Sequence, residues 1–491
     1  MDAERVPVIA AAAQTLERES KTSAVELAVR ASEGALGSAA DLRERIQRLS
    51  MVSVVFSDAG PRAASEVVQA LGIPEAEREM TRPGGNAPQW LVTRAARAVA
   101  NGELRATLLV GAEASHSAGK RDVLAQAGSV LVPADGPRDP VVGPKLDGVI
   151  SPAEMAIDLL VPSVSYSIIE AAIAHRRGAS FDEHRIGLGP LMASLSRVAS
   201  EHPNAWFRKA LSAEEISQVS ADNRLIAGSY PKRMNAFPRV DQAAAVVVTS
   251  LAVAKDLGIA DRCSYIWSGA ECAAPALPAR PDLIENPALG AAARAALDAA
   301  GVGADDLEQI DLYSCFPSAV QAGAAGLGIA LDDPRRLTVT GGLPFFGGPG
   351  NNYSMHAIAT MHDRLLEGGG LGYVGANGGI LSKHAIGIYG ATPSPRGFVE
   401  GDTRDAQARV DATALPIAMP ADGAVGRADV VASTVVYGRD GAIAAVPAIA
   451  VLADGRRVAA QADESTLASL PPQSLIGQQV ELHGDPLRFR I

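Results

Sequence analysis

The side chains able to act on a carbonyl carbon gather in the second half of the chain. Cys315, ending the apolar run Ile310–Phe316, offers a thiol nucleophile. Free cysteine also serves as a small buried hydrophobe. His384 alternates with Ile380, Ser382, Ile386 and Ile388 on one strand face. It is a general base if a partner stands within hydrogen-bond reach, with His356 the candidate, and otherwise a core histidine. His356 is equally a packing residue of a central helix. Asn351, Asn352 and Asn377 carry amide donors for an acyl carbonyl, or else cap helices and form turns. Tyr313 can donate a hydrogen bond into the same cleft or simply fill it. The catalytic candidates are thus Cys315, His384, His356 and Asn352.

Two glycine turns would position these groups. Around Gly347–Ile358 the order is a strand-like Leu337–Thr340, a Gly-Gly-Pro turn, a helix to about Leu366 and a strand at Leu371–Val374. Asn351 or Asn352 suits the cap of that helix. Earlier, Pro83-Gly84-Gly85-Asn86 precedes a helix at Leu91–Ala100 and a strand at Ala106–Val110. Glycine lets backbone approach a ligand, and N–H groups at a helix start favour oxyanions. The likeness extends upstream. Ala24–Ala35 reads as helix and leads to a strand at Val52–Phe56. Pro287–Ala300 reads as helix and leads to a strand at Ile310–Phe316. The pattern is an internally duplicated α/β unit.

Composition narrows the function. The 491 residues suggest two to four domains, and 47% hydrophobic residues can bury large cores. A net charge of −11 argues against non-specific binding to nucleic acid or anionic membranes. Three cysteines, Cys263, Cys272 and Cys315, form neither a disulfide framework nor a zinc pattern, and no metal site is expected. The N-terminal residues lack a basic-then-apolar leader, and no apolar run spans a membrane. The expected location is cytoplasmic.

In chain order, the first α/β half runs over 1–114, starting from a strand at Val6–Ala13. An irregular insertion follows at 115–240, with helices at Tyr166–His175 and Gly189–Val198. Residues 241–260 complete the first half, with a buried strand at Gln242–Ser250. The second half occupies 261–390 and ends in one long strand, Gly378–Tyr389. A linker covers 391–401. Residues 402–491 read as an antiparallel barrel of OB-like type, with a hairpin at Gly438–Gly441. The barrel carries more acids than bases, so a packing or partner module is expected rather than a nucleic-acid binder.

These residues carry a resemblance to the thiolase superfamily: the duplicated halves, the segment from Asn101-Gly102 to Glu113, and Asp241-Gln242-Ala243-Ala244-Ala245. The branch resembled is the thiolase-like protein type 1 group, near the sterol-carrier-protein thiolases, with an added C-terminal barrel. The resemblance implies five αβαβα layers, a site between the halves, and acyl-CoA as substrate or ligand with no permanently bound cofactor. It also shows departures. The position of the nucleophilic cysteine is Gly85, followed by Asn86. The histidine of a Gly-His-Pro turn is Gly348. The second cysteine's loop reads Gly375-Ala376-Asn377-Gly378, and a four-residue motif reads Tyr313-Ser314-Cys315-Phe316. Ordinary thiolysis through an acyl-cysteine is not expected. What remains is acyl transfer, a Claisen step or retro-aldol cleavage on an acyl-CoA. The alternatives are a non-catalytic acyl-CoA binder and a partner subunit of a lipid-metabolism complex. The substrate-binding positions implied are Gly85, Asn86, Tyr313, Gly348, Asn351 and Asn377, with Lys232 and Arg233 as cations for CoA phosphate. A monomer or homodimer fits, as does a protein partner bound through the barrel.

Overall fold

Continuous apolar runs such as Ala243–Val248 have no polar face, so they form strands covered on both sides. The computed structural model describes residues 2–37, 40–119, 136–144, 150–157, 159–470 and 473–491. Part of the expected insertion, 120–135 and 145–149, lies outside the described residues. The first half comprises β1 (Pro7–Glu17), α1 (Ala24–Gly37), β2 (Arg48–Met51), α2 (Ala63–Ala70), β3 (Glu77–Thr81), α3 (Ala87–Asn101), β4 (Ala106–Ala114) and β5 (Val141–Val142). The insertion contributes α4 (Pro162–Arg176), α5 (Phe181–Glu201), β6 (Leu225–Ala227) and β7 (Tyr230–Pro231), and β8 (Asp241–Ser250) returns to the sheet. The second half is β9 (Ser264–Ala273), α6 (Pro287–Ala300), β10 (Gln309–Asp311), α7 (Pro317–Leu327), α8 (Tyr353–Gly368), β11 (Leu371–Gly378) and β12 (Lys383–Gly390).

The strand order is β10-β11-β12-β9-β1-β8-β4-β2-β3-β5. Reading outward from the β1–β9 seam, each half repeats the same directions. The pairs β1–β8 and β8–β4 are antiparallel and β4–β2 is parallel. Likewise β9–β12 and β12–β11 are antiparallel and β11–β10 is parallel. Helices α1 and α2 pack outside the first half, α6 and α7 outside the second. Between them lie α3 and α8, whose Leu91, Val92, Met355, Ile358 and Met361 share one core with strands of both halves. Helix α8 is buried continuously from Tyr353 to His362, so it shows no solvent stripe. Each large apolar side chain buried there contributes roughly 1.5–3 kcal/mol.

Four expected strands are shorter or absent, and two of the differences share one cause. A buried carboxylate at a strand end captures backbone that would otherwise continue the ladder. Beyond Met51, the Val55 and Phe56 amides donate to Glu113 Oε1 at 2.6 and 3.1 Å, so Val52–Phe56 is not a strand. Thr338 Oγ1 and the Val339 amide donate to Asp311 Oδ2 at 2.8 and 2.9 Å, so Leu337–Thr340 is a loop. The run Ile310–Phe316 is strand only to Asp311. The expected long strand Gly378–Tyr389 is broken by a turn at 379–382, where Leu381 has φ 49°, and is strand only from Lys383.

The C-terminal region opens with β13 (Val399–Glu400), which pairs with β9, so the expected linker is partly strand. After α9 (Arg404–Ala412) come β14 (Gly426–Ser433), β15 (Val436–Tyr437), β16 (Ile443–Ala445), β17 (Pro447–Leu452), β18 (Arg457–Ala462), β19 (Gln479–His483) and β20 (Arg488–Arg490). A closed barrel β14-β17-β18-β20-β19 forms. It is not wholly antiparallel, because β18 and β20 close it in parallel. The β15–β16 hairpin leaves the barrel and pairs with β6 of the insertion, Val436 opposite Ala227.

Candidate functional site

The turn before α3 is tied to the turn before α8. The Gly84 amide donates to Asn351 Oδ1 (3.0 Å), and Asn351 Nδ2 donates to Ser53 O (2.9 Å) and Ser53 Oγ (3.0 Å). Ser354 Oγ donates to Gly85 O (3.1 Å). Asn352 Nδ2 donates to Gly111 O (2.6 Å). Neither asparagine side chain caps α8. Both amide hydrogens of Asn351 and one of Asn352 are used in ties between the halves.

Gly85 has no side chain and no space for one. A Cβ there would overlap Tyr313 Oη and stand 2.5 Å from the Asn377 carbonyl. Gly348 is looser: a Cβ would lie 3.3 Å from Phe237 O and 3.5 Å from Leu343 Cδ2. Asn86 Oδ1 is wedged against Gly84 and Gly378. Tyr313 crosses Tyr353 edge to face with centroids 5.5 Å apart, and burial raises its hydroxyl pKa well above the ordinary value.

Asn377 and His384 face each other across the β11–β12 pair. Asn377 Nδ2 donates to Tyr166 Oη (2.7 Å), and its Oδ1 is buried without a partner. His384 Nε2 lies 3.1 Å from Leu381 O and must be the N–H, leaving Nδ1 as a buried, unpartnered acceptor. Burial and then Arg280 push the His384 pKa down to about 3, so it stays neutral and is a poor base. Cys315 follows β10 beside Tyr166, and burial raises its thiol to about 12, so no thiolate forms at neutral pH. His356 does not partner His384. Its Nδ1 faces Gln14 Oε1 at 2.9 Å, its Nε2 is buried and unpartnered, and burial lowers its pKa to about 3.

Tyr313, Asn377, His384, Tyr373 and Leu312 line one cavity of about 10 Å³, the lower limit for a single water. A larger cleft of about 580 Å³ lies at the outer edge of the first half, among Arg62, Ser65, Glu77, Arg78, Glu79 and Asp139, with none of the expected site residues. Among the described residues no cluster of histidine, cysteine or carboxylate can hold a metal ion, and no helix is long and apolar enough to cross a membrane.

No protein-family model matches the chain, and no curated protein matches it. Among solved structures, a monomeric SCP2-thiolase like protein type 1 from Mycobacterium smegmatis is 31% identical over 99% of both chains, with a TM-score of 0.83. The chain belongs to the SCP2-thiolase-like proteins. The Ltp2-ChsH2(DUF35) aldolase matches at a TM-score of 0.61 and 19% identity, covering 79% of this chain and 99% of that one, a likeness of fold.

Within this family frame the structure groups the expected residues unevenly. Gly85, Asn86, Tyr313, Asn377, Cys315 and His384 stand around the first turn and the end of β11. Gly348, Asn351 and Asn352 belong to the adjoining second turn. The His356 ring points instead toward Gln14, and its backbone carbonyl accepts from Thr360, which also bonds His202. Lys232 and Arg233 sit in the insertion, where Arg233 donates to Glu215 O (2.6 Å), and no hydrogen bond or ion pair ties either to the turns. Two neighbours escaped the sequence reading. Tyr166 comes from α4 and reaches Asn377 and Gly379 O, which no local pattern announces. Lys383, beside His384 in the chain, points to the opposite strand face and reaches Pro83 O (2.7 Å). Strand alternation away from His384 was the signal available for it.

Proposed function

We propose that this protein handles acyl-CoA, in the setting of lipid metabolism, without an acyl-cysteine intermediate. The observation that carries the reading is Gly85. The family's nucleophile position has no side chain, and Tyr313 and the Asn377 carbonyl fill the space one would need. The groups nearby are poor replacements for a covalent thiol: burial keeps Cys315 protonated and His384 neutral. Ligand binding, or carbon–carbon bond chemistry that needs no thiolate, fits this set better than thiolysis.

Calorimetry with acetyl-CoA, acetoacetyl-CoA and long-chain acyl-CoA tests the reading, alongside a thiolysis assay with acetoacetyl-CoA plus CoA. The expected result is micromolar binding of at least one thioester and no thiolysis. Absence of binding to all of them rejects acyl-CoA handling. Thiolysis that is lost on Cys315→Ala would also overturn the reading, since it would place an acyl-cysteine there.

A further inference from the structure

Lys383 is buried, with 6% of its surface exposed, yet no carboxylate pairs with it among the described residues. Its ammonium makes one hydrogen bond, to Pro83 O at 2.7 Å, at the partly exposed end of the side chain. That places Nζ against the turn that carries Gly85. A Cβ on Gly84 would stand 2.6 Å from Nζ and overlap Asn86 Oδ1, and one on Gly378 would stand 3.0 Å from Lys383 Cε. The amine therefore lies against Gly84 and the Pro83 carbonyl, one residue before Gly85 in the same turn, with Asn86 beside it.

The residue type is informative. The chain has 44 basic residues, of which seven are lysines. The other cations buried among the described residues, Arg185, Arg280 and Arg457, are arginines, and Arg280 is held by Ile380 O (2.5 Å) and Ser382 Oγ (3.0 Å). Arginine stays charged under all ordinary conditions, whereas a buried lysine can shed its proton and become a nucleophile. Burial lowers the Lys383 pKa to about 8. At pH 8 about half of it is neutral, on the order of a hundredfold more than an ordinary lysine.

We propose that Lys383 is a reactive amine that condenses with a ketone or aldehyde carbonyl to form an imine. The neutral Nζ adds its lone pair to the carbonyl carbon, and the carbonyl oxygen takes a proton to give a carbinolamine. Loss of the hydroxyl with one proton from nitrogen releases water and leaves the C=N bond. No oxidant or reductant is needed. A 3-oxoacyl thioester supplies such a ketone. That substrate class rests on the acyl-CoA reading, whereas the amine itself does not.

The full-length protein is incubated with sodium cyanoborohydride and either acetoacetyl-CoA or acetone, then digested and mapped by mass spectrometry. Lys383 should carry most of the reduced adduct in both arms, ahead of the other six lysines. Acetone labelling should be half-maximal near pH 8. Lys383→Met, with circular dichroism unchanged, should lose that adduct. If neither probe marks Lys383 above the other lysines, the inference is overturned, even if calorimetry shows acyl-CoA binding. Labelling by acetone but not by acetoacetyl-CoA upholds the amine and rejects the acyl-CoA substrate. Should Lys383→Met fail to fold, Lys383→Arg must lose the adduct instead, because a guanidinium forms no such imine under these conditions.

Discussion

The two glycine turns occupy equivalent places in the two halves and differ in what presses on them. At Gly85 a methyl group would strike a tyrosine hydroxyl and a backbone carbonyl. At Gly348 it would meet a carbonyl and a leucine at 3.3 and 3.5 Å, close to ordinary contact. The second half lends Tyr313 and Asn377 to close the first turn, whereas the second turn rests on Phe237 from the insertion. The halves share strand order and direction, and the packing on the two turns differs.

Four measurements would break or sharpen that contrast. Gly85→Ala should cost about 3 kcal/mol in urea unfolding, because one of the obstructing atoms is backbone and cannot swing aside. Adding Tyr313→Phe should recover only part of it, a non-additive pair. A neutral Gly85→Ala would mean the turn is open. Asn351→Ala should cost about 2 kcal/mol, since it leaves the buried Gly84 amide and Ser53 carbonyl without partners. Hydrogen exchange should speed up at both turns together. A loss confined to one turn would mean the asparagine does not couple them.

The third measurement uses pH. Burial raises Asp311 to about 7, so between its ordinary value and 7 the folded chain holds more protons than the unfolded one. The sign is then negative: this carboxyl costs stability progressively as pH rises through that window, and fully above it. Relative to the wild type, Asp311→Asn should gain at least about 1 kcal/mol between pH 4 and 7, one pKa unit's worth. A flat difference would show that Asp311 titrates normally. The buried histidines oppose this trend, since His356 and His384 stay neutral down to about 3 and their contribution is lost as pH falls below their ordinary value. The difference between variant and wild type isolates Asp311 from them. Smallest of the four, Gly348→Ala should change stability by under about 1 kcal/mol. A larger loss would make the two turns alike.

The sequence carried the fold because buried strands such as β8 and Ala-rich helices such as α6 are written in local runs. It misplaced strand ends where a distant carboxylate overrides local propensity. Val52–Phe56 and Leu337–Thr340 look like strands, but Glu113 and Asp311 claim their amides. The parallel closure between β18 and β20 left no trace in either strand's own residues. At the site, the two glycine turns were legible as Gly-rich segments before a helix. The neighbours around them were not, since Tyr166 enters from the insertion and Lys383 arrives only when β12 lies beside the first turn. Asn351 and Asn352 looked like caps and proved to be struts, a role that requires the other half to be present.

The hairpin that departs from the barrel to join β6 has one further effect. Without residues 402–491, Leu225–Ala227 would offer bare amides and carbonyls to any passing strand, a known invitation to self-association. The C-terminal module thus works as a lid on an adhesive rim, and shortened versions of the chain should precipitate before they reveal anything about ligands.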